Sequence, residues 1–208
     1  MKKLRKTSRW LESSFILKNN QTERLTLAYM CKNTTGQLIY RATRDGFKSK
    51  TFHEICDNVP NTIVIIKTDS NDVFGGFTSV GWNSRGVNGQ DEDAFVFSLR
   101  RSGTTECHKM RVTSPDGAIY GGASYGPVFG DPRFDAKSIK NGIYPRGTNF
   151  DICIRDNSNI ETGSHTNIGR CYQYPDGYCS TQNCKQFLAS TYNNWLTVEI
   201  EVYELLIE

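Results

Sequence analysis

The run over residues 61–79 constrains the fold more than any other part of the chain. Its apolar stretch Thr62-Ile63-Val64-Ile65-Ile66-Lys67-Thr68 meets the polar turn Asp69-Ser70-Asn71-Asp72 and returns as Val73-Phe74-Gly75-Gly76-Phe77-Thr78-Ser79. β-Branched and aromatic residues on both sides of a polar turn specify an antiparallel hairpin. Ahead of it, Ser49 is placed to cap a helix whose Phe52, Ile55 and Cys56 share one face at i, i+3 and i+4 spacing, so a helix should lie against the hairpin. The Gly75-Gly76 pair predicts either a bulge or a point where another backbone comes close.

The remainder reads as short strands separated by Gly, Asn, Asp and Pro clusters, with convincing helices only over 21–32 and 49–57. This pattern predicts a mostly β, α+β architecture: two packed antiparallel sheets, a β-sandwich, flanked by two or so short helices. With 208 residues, 37% hydrophobic and 12% aromatic, the chain can bury one sizeable core without metal or disulfide support. No linker or internal repeat divides it. Residues 1–19, carrying Lys2, Lys3, Arg5, Lys6 and Arg9, read as a basic, solvated N-terminal arm, and 20–208 as one domain. At the far end, Val198, Ile200 and Val202 should face the core while Glu199, Glu201 and Tyr203 face water.

A formal charge of +3, from 25 basic and 22 acidic residues, provides no field for a polyanion, so nucleic acid is not an expected partner. No run approaches the roughly 18 apolar residues of a transmembrane span, and the basic start leads into Ser8-Arg9-Trp10-Leu11-Glu12-Ser13-Ser14-Phe15, not into an apolar signal region. The expectation is a soluble, cytoplasmic protein. Seven cysteines, an odd number scattered through predicted elements, point to free thiols in a reducing compartment. The sequons at Asn20 and Asn33 would then go unused.

Three constellations suggest chemistry, and each has a plainer structural explanation. Gly122-Ala123-Ser124-Tyr125-Gly126 spells a nucleophile elbow, with acids between Asp131 and Asp156 and then His165 following in hydrolase order. An elbow needs a strand entering a helix, whereas Pro127 and Gly130 follow here, so a glycine-rich corner is expected. Cys171, Cys179 and Cys184 cluster near His165, and His53 and Cys56 share a helix, but their spacings do not match paired zinc ligands. Glu199 and Glu201 project from one strand face roughly 7 Å apart, as paired glycosidase carboxylates can. A solvated polar face explains them, and as an acidic edge they are candidates for docking a protein partner. Arg44 and Asp45, before Gly46, read as a turn or internal ion pair, with partner binding as the second reading. No catalytic set, metal site or cofactor is expected, and His53 and His108 have no partner identifiable from sequence.

The ordered motifs together resemble the TLDc domain, the module of the oxidation-resistance proteins and of several vacuolar-ATPase regulators. The resemblance rests on Arg41-Ala42-Thr43-Arg44-Asp45-Gly46-Phe47, Ile66-Lys67-Thr68, Phe74-Gly75-Gly76-Phe77-Thr78-Ser79 and Trp82. It continues through the strand Ala94-Phe95-Val96-Phe97-Ser98-Leu99, the glycine-rich turn at 125–130 and the strand Asp151-Ile152-Cys153-Ile154. Tyr172, Tyr174-Pro175, Phe187-Leu188-Ala189 and the strand at 198–203 resemble the closing segment, so the likeness spans about residues 20–206. One departure is the link at 131–150, longer than the family's usual connection.

The resemblance implies a β-sandwich and a non-catalytic protein-interaction module. It implies a regulator of the vacuolar proton pump (V-ATPase) and of oxidative-stress resistance, with the peripheral sector of the V-ATPase as partner and recruitment to membranes that carry it. A structural adaptor for cytoskeletal, ciliary or axonemal (microtubule) proteins is the alternative. A thiol-based redox protein, motivated by the seven cysteines, and a hydrolase are further rivals.

Overall fold

The structure is a computed structural model and describes residues 8–32, 34–131, 150–175, 186–191 and 194–206. Its helices are α1 (Gln21–Met30), α2 (Ala42–Asp45) and α3 (Ser49–Cys56). Strands β1 (Thr35–Arg41), β2 (Thr62–Thr68), β3 (Val73–Thr78), β4 (Arg85–Gly89), β5 (Phe95–Arg101) and β6 (Thr104–Arg111) are followed by β7 (Ile119–Gly122) and β8 (Tyr125–Phe129). Beyond them come β9 (Ile152–Arg155), β10 (His165–Thr166) and β11 (Thr197–Leu206). They form a six-stranded sheet, β1-β11-β2-β3-β5-β6, and a five-stranded sheet, β10-β9-β8-β7-β4, with every pairing antiparallel. The two-sheet architecture expected from sequence is therefore present. None of the described helices is long and apolar enough to cross a membrane.

The hairpin forms in unbroken register from Thr62 opposite Thr78 to Lys67 opposite Val73, so the Gly75-Gly76 pair makes no bulge between β2 and β3. It makes room instead. A Cβ on Gly76 would lie 2.6 Å from the Phe129 ring of the second sheet, and one on Gly75 would collide with the Val64 carbonyl. At Asn71 the turn takes φ 61°, a left-handed geometry that asparagine tolerates.

β2 is apolar along its length because both of its faces are covered. Val64 and Ile66 join the core between the sheets, with Phe74, Val96, Ile119, Phe129, Ile152, Ile200 and Val202. Ile63 and Ile65 point the other way, into a second core with Phe97, Tyr203 and Leu205 that is roofed by Leu11, Leu17, Leu27 and Met30. The first core is threaded by edge-to-face aromatic pairs, Tyr40 to Phe52, Phe52 to Trp82, Trp82 to Phe129 and Phe129 to Tyr172, at centroid separations of 5.9, 5.4, 5.3 and 6.4 Å. These are favourable ring geometries, and Trp82 satisfies its indole by donating to Thr62 Oγ1 at 2.9 Å.

Several expectations are corrected. The described part of the N-terminal segment, from Ser8 onward, is a packed cover and not a solvated arm: Leu11, Ser14 and Leu17 are fully buried. Lys2, Lys3, Arg5 and Lys6 lie outside the described residues. Ser49 does not cap α3, because Lys48 occupies that position without a side-chain bond. The Ser49 amide and hydroxyl both donate to Asp156 Oδ1, at 2.6 and 2.9 Å, so a carboxylate from the segment after β9 caps the helix. The segment expected as a glycine-rich turn is strand β8, ended by Gly130 at φ 77°. Between them, α1 stops two residues earlier than expected, and the short α2, hidden inside the Arg41 to Gly46 motif, had no sequence periodicity to reveal it.

Candidate functional site

Of the residues that sequence singles out, Arg44, Asp45, Glu199 and Glu201 lie around the junction of β1, α2 and β11. β11 is no edge: it lies between β1 and β2, and the N-terminal segment covers its outer face. The expectation that Glu199 and Glu201 face water is therefore overturned, since they are 3% and 0% exposed, while Val198, expected in the core, is 45% exposed. A register irregularity between Thr197 and Glu199 accompanies the displaced alternation.

Each glutamate is held by donors. Glu201 Oε1 accepts from the Phe15 amide at 2.8 Å and from Arg41 Nε and Nη2 at 3.0 and 2.9 Å. Its Oε2 accepts from Ser14 Oγ at 2.5 Å and Tyr203 Oη at 3.3 Å. Arg41 also donates to the Ser13 carbonyl and lies 3.8 Å from the Phe15 ring centroid, so one buried ion pair fastens the N-terminal segment to the sheet. Glu199 accepts from the Thr43 amide at 3.0 Å, from the Thr43 hydroxyl and from the Ile200 amide at 3.1 Å, which anchors α2.

Arg44 and Asp45 form the internal pair that was the first reading. Arg44 Nε and Nη2 donate to Asp45 Oδ1 and Oδ2, each at 2.8 Å, and Nη2 also reaches the Ile39 carbonyl. The Arg44 hydrogen bonds hold the Asp45 carboxyl below the usual carboxylate range. Asp45 Oδ2 accepts from the Arg41 amide, and Tyr40 Oη donates to the Gly46 carbonyl at 2.7 Å. Gly46 sits at φ 110°, a conformation that disfavours a side chain, which accounts for the glycine in the motif.

Sequence reasoning missed a set of buried carboxylates that tie loops together. Asp72 accepts from Thr68 Oγ1, the Ser102 amide, and both the amide and hydroxyl of Ser190, joining three chain segments at one end of the long sheet. Asp91 accepts from Thr78, Ser79 and the Asp93 amide, which explains the Thr-Ser that closes the FGGFTS motif. Glu23, on α1, takes a two-pronged bond from Arg100 at 2.8 and 2.6 Å. Asp151 accepts from the amides of Gly169, Arg170 and Cys171 at 2.8, 3.0 and 2.7 Å. Burial nevertheless pushes its pKa up to about 7, with the amide bonds pulling the other way. The only sequence signal is position: Asp72 closes the β2–β3 turn, Asp91 stands in the link that crosses from β4 in one sheet to β5 in the other, and Asp151 immediately precedes β9.

Ser124 lies in a tight turn between β7 and β8, so strand leads to strand and the strand-to-helix setting of an elbow is absent at this place. The imidazole beneath that turn is His53 and not His165. Its Nδ1 lies 2.7 Å from Asp57 Oδ1, and its Nε2 lies 3.1 Å from the carbonyl oxygens of both Gly122 and Tyr125, tying α3 to the second sheet. His165 is buried on β10 opposite Cys153, and His108 lies against Phe187 and Glu106.

Cys31, Cys56, Cys153 and Cys171 are buried and Cys107 is half-buried, all as free thiols. Burial pushes the Cys31 and Cys153 thiols up to about 12 and raises Cys56 further, which suppresses the thiolate that oxidation and metal binding require. Among the described residues no group of three or more His, Cys, Asp or Glu side chains could hold a metal ion. Cys179, Cys184 and the link at 132–149 lie outside the described residues.

A search of curated proteins finds no significant match. The family model of the TLDc domain matches residues 10–206, including Trp10, Leu11 and Leu17 of the N-terminal cover and the whole of both sheets. The chain thus belongs to the TLDc domain family.

Proposed function

We propose that this chain is a non-catalytic protein-interaction module that regulates the V-ATPase through its peripheral sector and contributes to resistance to oxidative stress. The observation that carries the reading is membership, along 10–206, of a family associated with oxidation resistance and V-ATPase interaction. The state of the candidate groups supports it. Glu199, Glu201, Arg44, Asp45 and His53 are each engaged in bonds that hold elements together, and burial keeps the Cys31, Cys56 and Cys153 thiols protonated. A partner would therefore read the outside of the sandwich, and Glu199 and Glu201 act on it only by holding β11, α2 and the N-terminal cover in place.

Affinity capture with the whole chain against a purified peripheral sector tests this reading. Retention of pump subunits, unchanged in a Ser124→Ala variant, is the expected result. Failure to retain them, together with co-sedimentation with microtubules, would replace the pump by a cytoskeletal assembly. Peroxide titration with thiol counting covers the redox rival: a cysteine that reacts faster than a free thiol would overturn the non-catalytic reading.

A further inference from the structure

On the outer face of the six-stranded sheet, where the C-terminal end of α1 stops short of β3, β5 and β6, there is a cavity of about 350 Å3. Small-ligand pockets span roughly 300–1,000 Å3. Its floor is aromatic: Phe77 and Phe95 stack with centroids 5.3 Å apart and an interplanar angle of 22°. Beside them stands the half-buried ammonium of Lys109, 3.7 Å from the Phe95 centroid. Lys109 donates to the Met30 carbonyl at 2.8 Å, leaving two of its three N–H donors. Among the described residues no carboxylate lies within ion-pair distance of it. Burial lowers its pKa, the mark of a cation that has lost hydration without gaining a counter-charge. Lys32 and Arg111 also line the cavity, as do Glu92 and Asp93.

We propose that this cavity is a binding site for an amphipathic anion, a carboxylate carrying a short aliphatic or aromatic body. The body lies on the Phe77–Phe95 stack, and the carboxylate takes the two unused donors of Lys109, a charge-assisted contact in a partly desolvated place. The three cations at the cavity, Lys109, Lys32 and Arg111, outnumber the carboxylates of Glu92 and Asp93, so an anion is favoured there over a neutral amphiphile. The site is separate from the junction of β1, α2 and β11, and occupancy would brace α1 against the sheet.

Octanoate titrated into the whole chain, followed by amide and methyl chemical shifts, tests the proposal, with 1-octanol as the neutral comparator. Octanoate should bind saturably, with shifts centred on Phe77, Phe95 and Met30. Lys109→Met, which keeps the apolar stem, should weaken octanoate about tenfold or more while leaving 1-octanol unchanged. Should that variant fold poorly, Lys32→Gln with Arg111→Gln alters only exposed side chains and should weaken octanoate while leaving 1-octanol unchanged. Absence of saturable shifts at the cavity, or equal affinity of the parent chain for octanoate and 1-octanol, would overturn the site.

Discussion

The inner face of the six-stranded sheet is closed by interlocking rings, the outer face by a short helix and an N-terminal segment pinned through two buried ion pairs. On the inner side, Gly76 lets the Phe129 ring sit directly on the sheet, and Trp82 links that ring to Phe52 on α3. Such contacts are dense and apolar, and their worth follows buried area and fit. On the outer side, apolar packing by Leu11, Leu17, Leu27 and Met30 is supplemented by Glu201–Arg41 and Glu23–Arg100, whose carboxylates are fully buried. Removing two charges from water is costly, so these pairs add little net stability over an apolar pair. What they supply is position, since each cover segment can dock only where its charge finds its partner. The inner core makes the sandwich, and the outer pairs choose the register of its cover.

The largest test of that contrast is Trp82→Ala. Losing a fully buried indole, its bond to Thr62 and two ring contacts should cost about 4 kcal/mol, with cooperative loss of both sheets in chemical denaturation. A loss below about 1 kcal/mol would mean that the rings do not dominate the inner core.

Glu201→Gln comes next. It leaves the Arg41 guanidinium, mostly buried, without its counter-charge, at an expected cost of about 3 kcal/mol. Hydrogen exchange should rise first over residues 11–18, before the sheets open. Arg41→Met combined with Glu201→Leu should cost less than Glu201→Gln alone, because no charge is stranded. If the double replacement costs as much as Glu201→Gln or more, the pair adds net stability over an apolar pair, and the contrast between the faces fails.

How far sequence could see follows the same division. The inner face was legible: hairpin, helix face and family motifs all sit where period-two or i, i+3, i+4 spacing puts apolar residues, and the two-sheet fold followed. The outer face was not. Alternation at β11 assigns Glu199 and Glu201 to water because nothing local shows that residues 8–19, some 190 positions away in sequence, will cover that face. Ser49 looked like a helix cap for the same reason, its true partner Asp156 being supplied from beyond β9. Arg44 and Asp45 need no distant partner: the ion pair is between chain neighbours, where sequence alone can see it.

A pH series separates the two faces in another way. The Asp151 carboxyl titrates near 3.8 when unfolded and near 7 when folded, so the folded chain holds an extra proton between those values. The stability this adds is complete below pH 3.8 and is lost as pH rises through 7. Between pH 6 and 8 the loss should be about 1.4 kcal/mol, seen as a falling melting temperature that Asp151→Asn flattens. A melting temperature over this interval that Asp151→Asn leaves unchanged would mean that the three amide donors offset burial and hold the carboxylate ionised. Asp151 belongs to the second sheet, so the effect should leave exchange at residues 11–18 unchanged relative to the sheets.

Arg44→Ala should have the smallest effect, about 0.5 kcal/mol or less. Its guanidinium makes two short bonds to Asp45, but the side chain is half exposed, and water screens and replaces most of what the pair contributes. The contrast with Glu201 lies in exposure. Arg44 grips both Asp45 oxygens at 2.8 Å while Arg41 places Nε and Nη2 on the one oxygen Oε1 of Glu201 at 3.0 and 2.9 Å, yet the second pair is the buried one. A cost for Arg44→Ala approaching that of Glu201→Gln would show that the bond to the Ile39 carbonyl, more than the ion pair, braces the β1–α2 corner. Arg44→Lys then decides between them: it keeps the charge but loses the fork, so it should restore stability if the ion pair matters and fail if the planar bond to the carbonyl does.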